Sequence, residues 1–401
     1  MKLFMHWLAQ RETWELSSSV QIKQRLADLV DAWAFKALCS VAVPEIGVLV
    51  VGNVPFKHSF VLLLKDDQPE IILRSQKILL EGASNSLSND WHFVELVSVD
   101  FERRKFVFRA VAHSGLVSLV KVSLKHPGKQ LRLSAASRVI GNLPSDHDVI
   151  HGWLQVGNNF WAYSKDSNFV SVNSVSHTAG VKTLASARIF DSTRRIDGWV
   201  LCGDTVSIIV FDILQKRQYI CDASLRPDGI NLGVPRAICT DLPLQAILPI
   251  KGQNAVLASL GVGRGRDASH VGILDVETGT LRCEPTSLKS LGLGIAKTSR
   301  MPQNFRHATI YGQDVYVLAC EQGVAVFQII DGDLVCVAKQ FEPNMIGHFT
   351  LGLSTITESG PATGMMIVSE VRPGRPDPEP WLFQLKLKTP PPQTPASLPD
   401  Y

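Results

Sequence analysis

From Pro44 onward the chain repeats one local texture: short runs of β-branched and aromatic residues, each broken by Gly, Asp, Asn or Pro. Runs of this length are too short to be helices, and their bounding turn residues predict strands joined by hairpins. Residues 206–213 (VSIIVFDI), 271–279 (VGILDVETG) and 324–332 (VAVFQIIDG) show the pattern, with alternating inward and outward positions that end at an Asp or Gly turn. In the second, Asp275 is placed to bond its own backbone and cap the turn that Thr278 and Gly279 complete.

The runs gather into groups at 43–80, 90–136, 147–190, 195–225, 244–288, 304–341 and 346–388, each with three or four strand-like segments. Their starts lie about 50 residues apart, which is the repeat length of propeller blades. A radial array leaves few exposed sheet edges, so a chain this rich in strands is predicted to form an all-β propeller of about seven blades, with paired β-sandwiches as the alternative. The 271–279 segment resembles the third strand and following turn of a WD-repeat blade. Residues 1–42 are expected to form an N-terminal helical segment, 43–388 the propeller and 389–401 a Pro-rich, disordered tail. The helix follows from Ser17–Ser19 as an N-cap and from Val20, Ile22, Leu26, Leu29, Val30, Trp33, Ala37 and Leu38 at mostly three- and four-residue steps.

Composition narrows the class further. With 45% hydrophobic and 19% charged residues the chain can bury a large core, which excludes wholesale disorder. Its 40 basic and 37 acidic side chains leave a net charge of +3, too little to predict a nucleic-acid partner or a membrane-surface role. No run reaches membrane-span length, and the opening MKLFMHWL lacks the small-residue cleavage site of a signal peptide. The seven cysteines are scattered and contain no CxxC pair, so reduced thiols and a cytoplasmic or nuclear location are expected.

Motifs that could carry chemistry are weak. Residues 261–267 (GVGRGRD) have the glycines and arginines of a phosphate cradle, but a further strand follows where a dinucleotide or P-loop site needs a helix, so a connecting loop is the expectation. His113, His126, His147, His151, His177, His270, His307 and His348 show no metal-ligand spacing, and Glu45, Asp100, Asp197, Asp275 and Asp331 read mostly as turn caps. No catalytic, cofactor-binding or metal-ligating set is predicted. Basic clusters at Arg103–Lys105, at Lys121, Lys125, Lys129 and Arg132, and at Arg194 and Arg195 fit solvated hairpin tips. The residues best suited to hold a partner are Trp153, Trp161, Arg194, Arg195, Trp199, Arg264 and Arg266, because aromatics and arginines anchor interfaces.

The helix with Leu26, Leu29, Trp33 and Leu38, its Ala32-Trp33 step, the strand opening at 48–53 (VLVVGN) and the strand pair at 93–108 together resemble the region after the F-box in fungal, especially basidiomycete, F-box proteins. That resemblance implies a WD-repeat-like propeller and a substrate-receptor role beside a cullin-type ubiquitin ligase. It departs from the family at the start, since the roughly 15 residues before the helix cannot hold an F-box and carry no Leu-Pro opening. The expected function is a non-enzymatic platform that binds a protein or peptide partner on a propeller face. A ligase-associated receptor and a propeller hydrolase are the alternatives.

Overall fold

The computed structural model describes residues 14–19, 36–43, 46–54, 58–64, 74–78, 91–112, 114–125, 132–144, 150–164, 167–176, 180–202, 205–261, 267–297, 305–310, 313–320, 322–341, 348–353, 363–370 and 381–387. Among them the strands form antiparallel sheets of four or five, and most sheets take their strands in chain order.

Strand β1 (Trp14–Ser19) is set apart by its partner, described below. Blade I contains β2 (Lys36–Val43), β3 (Gly47–Val54), β4 (His58–Leu64) and β5 (Arg74–Ile78). Blade II contains β6 (Trp91–Asp100), β7 (Lys105–Ala112), β8 (Leu116–Lys125) and β9 (Arg132–Asn142). Blade III contains β10 (Gly152–Val156), β11 (Asn159–Ser164), β12 (Phe169–Ser176) and β13 (Gly180–Arg188). Blade IV contains β14 (Arg194–Cys202), β15 (Thr205–Asp212), β16 (Arg217–Arg226), β17 (Gly229–Leu232) and the short β18 (Arg236–Ala237). Blade V contains β19 (Leu244–Pro249), β20 (Ala255–Gly261), β21 (Asp267–Asp275), β22 (Thr286–Ser287) and β23 (Ala296–Lys297). Blade VI contains β24 (Phe305–Ile310), β25 (Gln313–Cys320), β26 (Gly323–Ile330) and β27 (Asp333–Phe341).

The last sheet is composite. Strands β28 (His348–Leu353), β29 (Thr363–Glu370) and β30 (Trp381–Leu387) supply three positions, and β1 completes it by pairing with β30 from Trp14↔Leu387 to Ser19↔Leu382. First strands pack against first strands from β10 through β14, β19 and β24 to β28, β28 meets β2 and β2 meets β6, while blades II and III join through β9 and β13, so the sheets close into a ring. The fold is an all-β propeller. Against the expected count of about seven blades, six are contiguous in sequence and a further four-stranded sheet is assembled from both ends of the chain. The physical reason is that a ring stitched across its ends needs no free sheet edge at the seam.

The blades alternate buried and exposed strands for a steric reason. Middle strands have a neighbouring blade on both faces, so β20 (AVLASLG) is buried along its whole length, whereas outer strands such as β13 keep one face in solvent. The core therefore lies between blades. Val41, Leu49, Val51 and Val61 of blade I pack on Trp91, Phe106, Phe108 and Val120 of blade II, and Ile250, Leu257 and Ile273 of blade V pack on Phe305, Tyr316 and Phe327 of blade VI.

Ser17–Ser19 lie in β1 and Ala37 and Leu38 lie in β2, which corrects the expected helix at both of its ends; residues 20–35 between them are outside the described residues. Both segments gain cross-strand partners that an isolated amphipathic turn would lack, so pairing overrides the helical spacing. Within the segment 1–42, the described residues 14–19 and 36–42 belong to strands of the ring. The tail at 389–401 is outside the described residues. No helix among the described residues is long and apolar enough to cross a membrane.

Candidate functional site

The inner strands β2, β6, β10, β14, β19 and β24 converge on a central cavity of about 460 Å³, within the range of small-molecule and peptide side-chain pockets. Four of the residues that line it arrive there by the same device. The pairing registers skip Leu38 in β2, His92 in β6, Asp197 in β14 and Gln245 in β19, so each is the extra residue of a β-bulge, and all four line the cavity. A bulge bends the strand and re-aims one side chain that strict alternation would have placed elsewhere.

One wall joins blades II and III. Glu95 of β6 lies directly opposite Arg109 of β7, so both project from the same face, and Arg109 Nη1 stands 3.2 Å from Glu95 Oε1. The Arg109 guanidinium lies 3.9 Å from the centre of the Phe160 ring, which is itself stacked on Trp153 at 4.8 Å. Burial pushes the Glu95 carboxyl above its usual range; the Arg109 charge and a hydrogen bond from Trp153 pull the other way. Burial likewise pulls the Arg109 guanidinium down, against the opposing pull of Glu95.

The adjoining wall joins blades IV and V. Arg195 places Nε and Nη2 at 3.1 and 2.9 Å from Asp197 Oδ1, and Gln218 Nε2 donates to Asp197 Oδ2 at 3.3 Å. Gln218 also imitates a strand: it donates to the Leu244 carbonyl at 3.0 Å and accepts from the Leu244 N–H at 2.9 Å, which ties β16 to the residue before the Gln245 bulge. Trp199 meets Tyr163 edge to face at 4.6 Å. Arg306 of β24 closes the ring of lining residues; it is half-buried by surface, yet enclosed densely enough that burial depresses its guanidinium to about 10.

Of the residues expected to hold a partner, Trp153 and Trp199 are brought together in the cavity lining. Arg195 stands outside the lining as the counter-ion of Asp197, and the exposed Arg194 pairs with the buried Asp212 at 3.7 Å. Trp161 is 3% exposed and packs in the core between blades III and IV, away from the cavity lining. Arg264 and Arg266 are outside the described residues, though Gly261 and Asp267 on either side end and begin paired strands.

Asp197 is also corrected from a turn cap to a bulge residue facing the cavity. Asp275 does cap its turn, accepting from the N–H groups of Glu277 and Thr278 at 3.0 Å. His151 reaches the cavity together with His92. Among the described residues, no group of three or more His, Cys, Asp or Glu could hold a metal ion.

Sequence reasoning did not single out Glu95, Arg109, His92, Gln245 or Arg306. For Arg109 a signal was present: a charge inside the otherwise apolar run FVFRAVA must either be paired or serve a site.

No known protein family and no curated protein matches the chain. Among solved structures it is similar to the WD40 domain of coronin from Toxoplasma gondii, with 9% identity over 94% of this chain and 87% of that one and a TM-score of 0.48. It is also similar to Sqt1 of Chaetomium thermophilum, solved bound to the N-terminus of the ribosomal protein L10, with 9% identity over 88% and 97% of the two chains and a TM-score of 0.48. A protein from Lactobacillus plantarum has 12% identity over 77% and 86% and a TM-score of 0.45. Likenesses this distant carry no residue roles; the propeller is established by the sheet order above.

Proposed function

We propose that the protein is a non-enzymatic interaction platform that receives part of a protein or peptide partner at the propeller channel. The observation that carries this reading is the cavity lining, where Trp153 and Trp199 stand among hydrogen-bonding and charged groups on rigid inner strands. Partially accessible indoles held by packing offer a large apolar contact at little entropic cost, and the surrounding polar groups can fix orientation. Such a site suits recognition, since its donors and acceptors come from several blades and are held by neighbouring side chains rather than by mobile loops.

The test is selection of peptides from a displayed random library on the purified chain, followed by affinity measurements on Trp153→Ala and Trp199→Ala variants whose fold is checked by circular dichroism. Peptides that use the channel should lose at least about tenfold in affinity on either substitution, because buried aromatic anchors dominate interfaces. Selected peptides that bind both variants as well as the parent would remove the channel from consideration. The narrower role of a ligase-associated substrate receptor rests on the resemblance to F-box proteins, and stoichiometric binding of an Skp-type adaptor to the intact chain is its test.

A further inference from the structure

We propose that the channel site receives a carboxylate group of its ligand, held by Arg109 and Arg306. This deepens the reading of the channel as a recognition site. The first observation is an unmet donor set. The Arg109 side chain is 8% exposed and lines the cavity, yet its Nε and Nη1 donate no hydrogen bond; Nη1 has Glu95 Oε1 at 3.2 Å but not in hydrogen-bonding alignment. A buried guanidinium with unused N–H groups is costly, and an acceptor entering the cavity relieves that cost.

The second observation is the state of the carboxylates already in the wall. Asp197 is engaged by the Arg195 fork and by Gln218. Glu95 has its charged form disfavoured by burial, so it is a poor permanent counter-ion for Arg109. Arg306 adds a second cation to the same lining from blade VI. The planar fork of each arginine matches a carboxylate, and the indole of Trp153, stacked on the Phe160 ring that Arg109 covers, favours a ligand whose acid group adjoins an apolar body.

A small probe tests the chemistry without knowledge of the natural partner. Binding of 3-phenylpropanoate and of its uncharged analogue 3-phenylpropanamide to the whole chain is measured by calorimetry and by saturation-transfer NMR. The acid is expected to bind at least about tenfold more tightly than the amide. Arg306→Gln and Arg109→Gln should each erase most of that difference. Glu95→Gln should strengthen acid binding severalfold, because it removes the competing wall carboxylate; a merely structural role for Arg109 and Glu95 would not produce a gain. This variant and Arg306→Gln keep the test decisive even where Arg109→Gln fails to fold.

Equal binding of acid and amide, acid binding unchanged by Arg306→Gln, or no binding of the acid at millimolar concentration would each overturn the proposal. Equal binding would leave the channel as a recognition site of another chemistry, so failure of the carboxylate inference is distinguishable from failure of the platform reading, which falls only with the peptide experiment. Two tetrapeptides then separate the sources of the carboxylate: one amidated at its end with an internal Glu, the other with Gln in that place and a free C-terminus.

Discussion

At the scale of single residues, the clearest consequence of packing is the contrast among the thiols. Cys320 is fully enclosed and burial pushes its thiol far up, Cys202 is pushed up to about 11, and Cys239 lies exposed. Only a thiolate reacts, so native protein treated briefly with iodoacetamide should be modified at Cys239 while Cys202 and Cys320 react after denaturation. Mass spectrometry of the digest reads the order, and early modification of Cys320 would contradict the described core. Glu95 makes a second prediction. Its native carboxyl holds a proton to higher pH than the unfolded chain, so its contribution to stability is present below the ordinary glutamate range and is lost as pH rises through the elevated value. Urea unfolding should show the parent losing stability relative to Glu95→Gln as pH rises above about 4.5, whereas a pH-independent difference would place Glu95 in a more watery setting.

At the scale of elements, turns and clamps set how far each blade is fixed. Asp331 and Gly332 both have positive φ, at 52° and 90°, between the paired residues Ile330 and Asp333, so the Asp-Gly step forms the two-residue hairpin turn whose twist matches its strands. That turn, like the Asp275 cap, was readable in the sequence because the signal is local. Asp275→Ala should cost about 1 kcal/mol by chemical unfolding, the usual loss when a cap to backbone N–H groups is removed. The Gln218 clamp was not readable, because its partner Leu244 lies in the next blade and nothing near either residue announces the meeting. Gln218→Leu fills similar space but leaves the Leu244 backbone groups without that partner, so a loss of about 2–4 kcal/mol is expected. A loss below about 0.5 kcal/mol would mean that water replaces the clamp.

At the scale of the whole molecule, the seam decides whether the ring stays shut. Strand β1 joins the outer edge of the composite sheet through six cross-strand pairs. Deletion of residues 1–19 removes those pairs and exposes the edge of β30, so a loss of about 3 kcal/mol and a tendency to associate through that edge are expected. Calorimetry and light scattering on the truncated chain check both; an unchanged unfolding temperature would show that the other sheets hold the ring without it.

Strand positions, several hairpin turns and the rough boundaries between blades were legible in the residues alone, because alternation and turn chemistry act over a few positions. Thus the groups at 90–136 and 147–190 coincide closely with blades II and III. That Ser17–Ser19 and Lys36–Val43 are strands rather than parts of a helix follows from the folded pairing, since their partners lie at the far end of the chain or across a bulge. The fold alone decided the site as well. A period of two has no place for an extra residue, so the bulges that bring Leu38, His92, Asp197 and Gln245 to the channel are invisible to pattern reading, and the side chains meet only once the ring has closed.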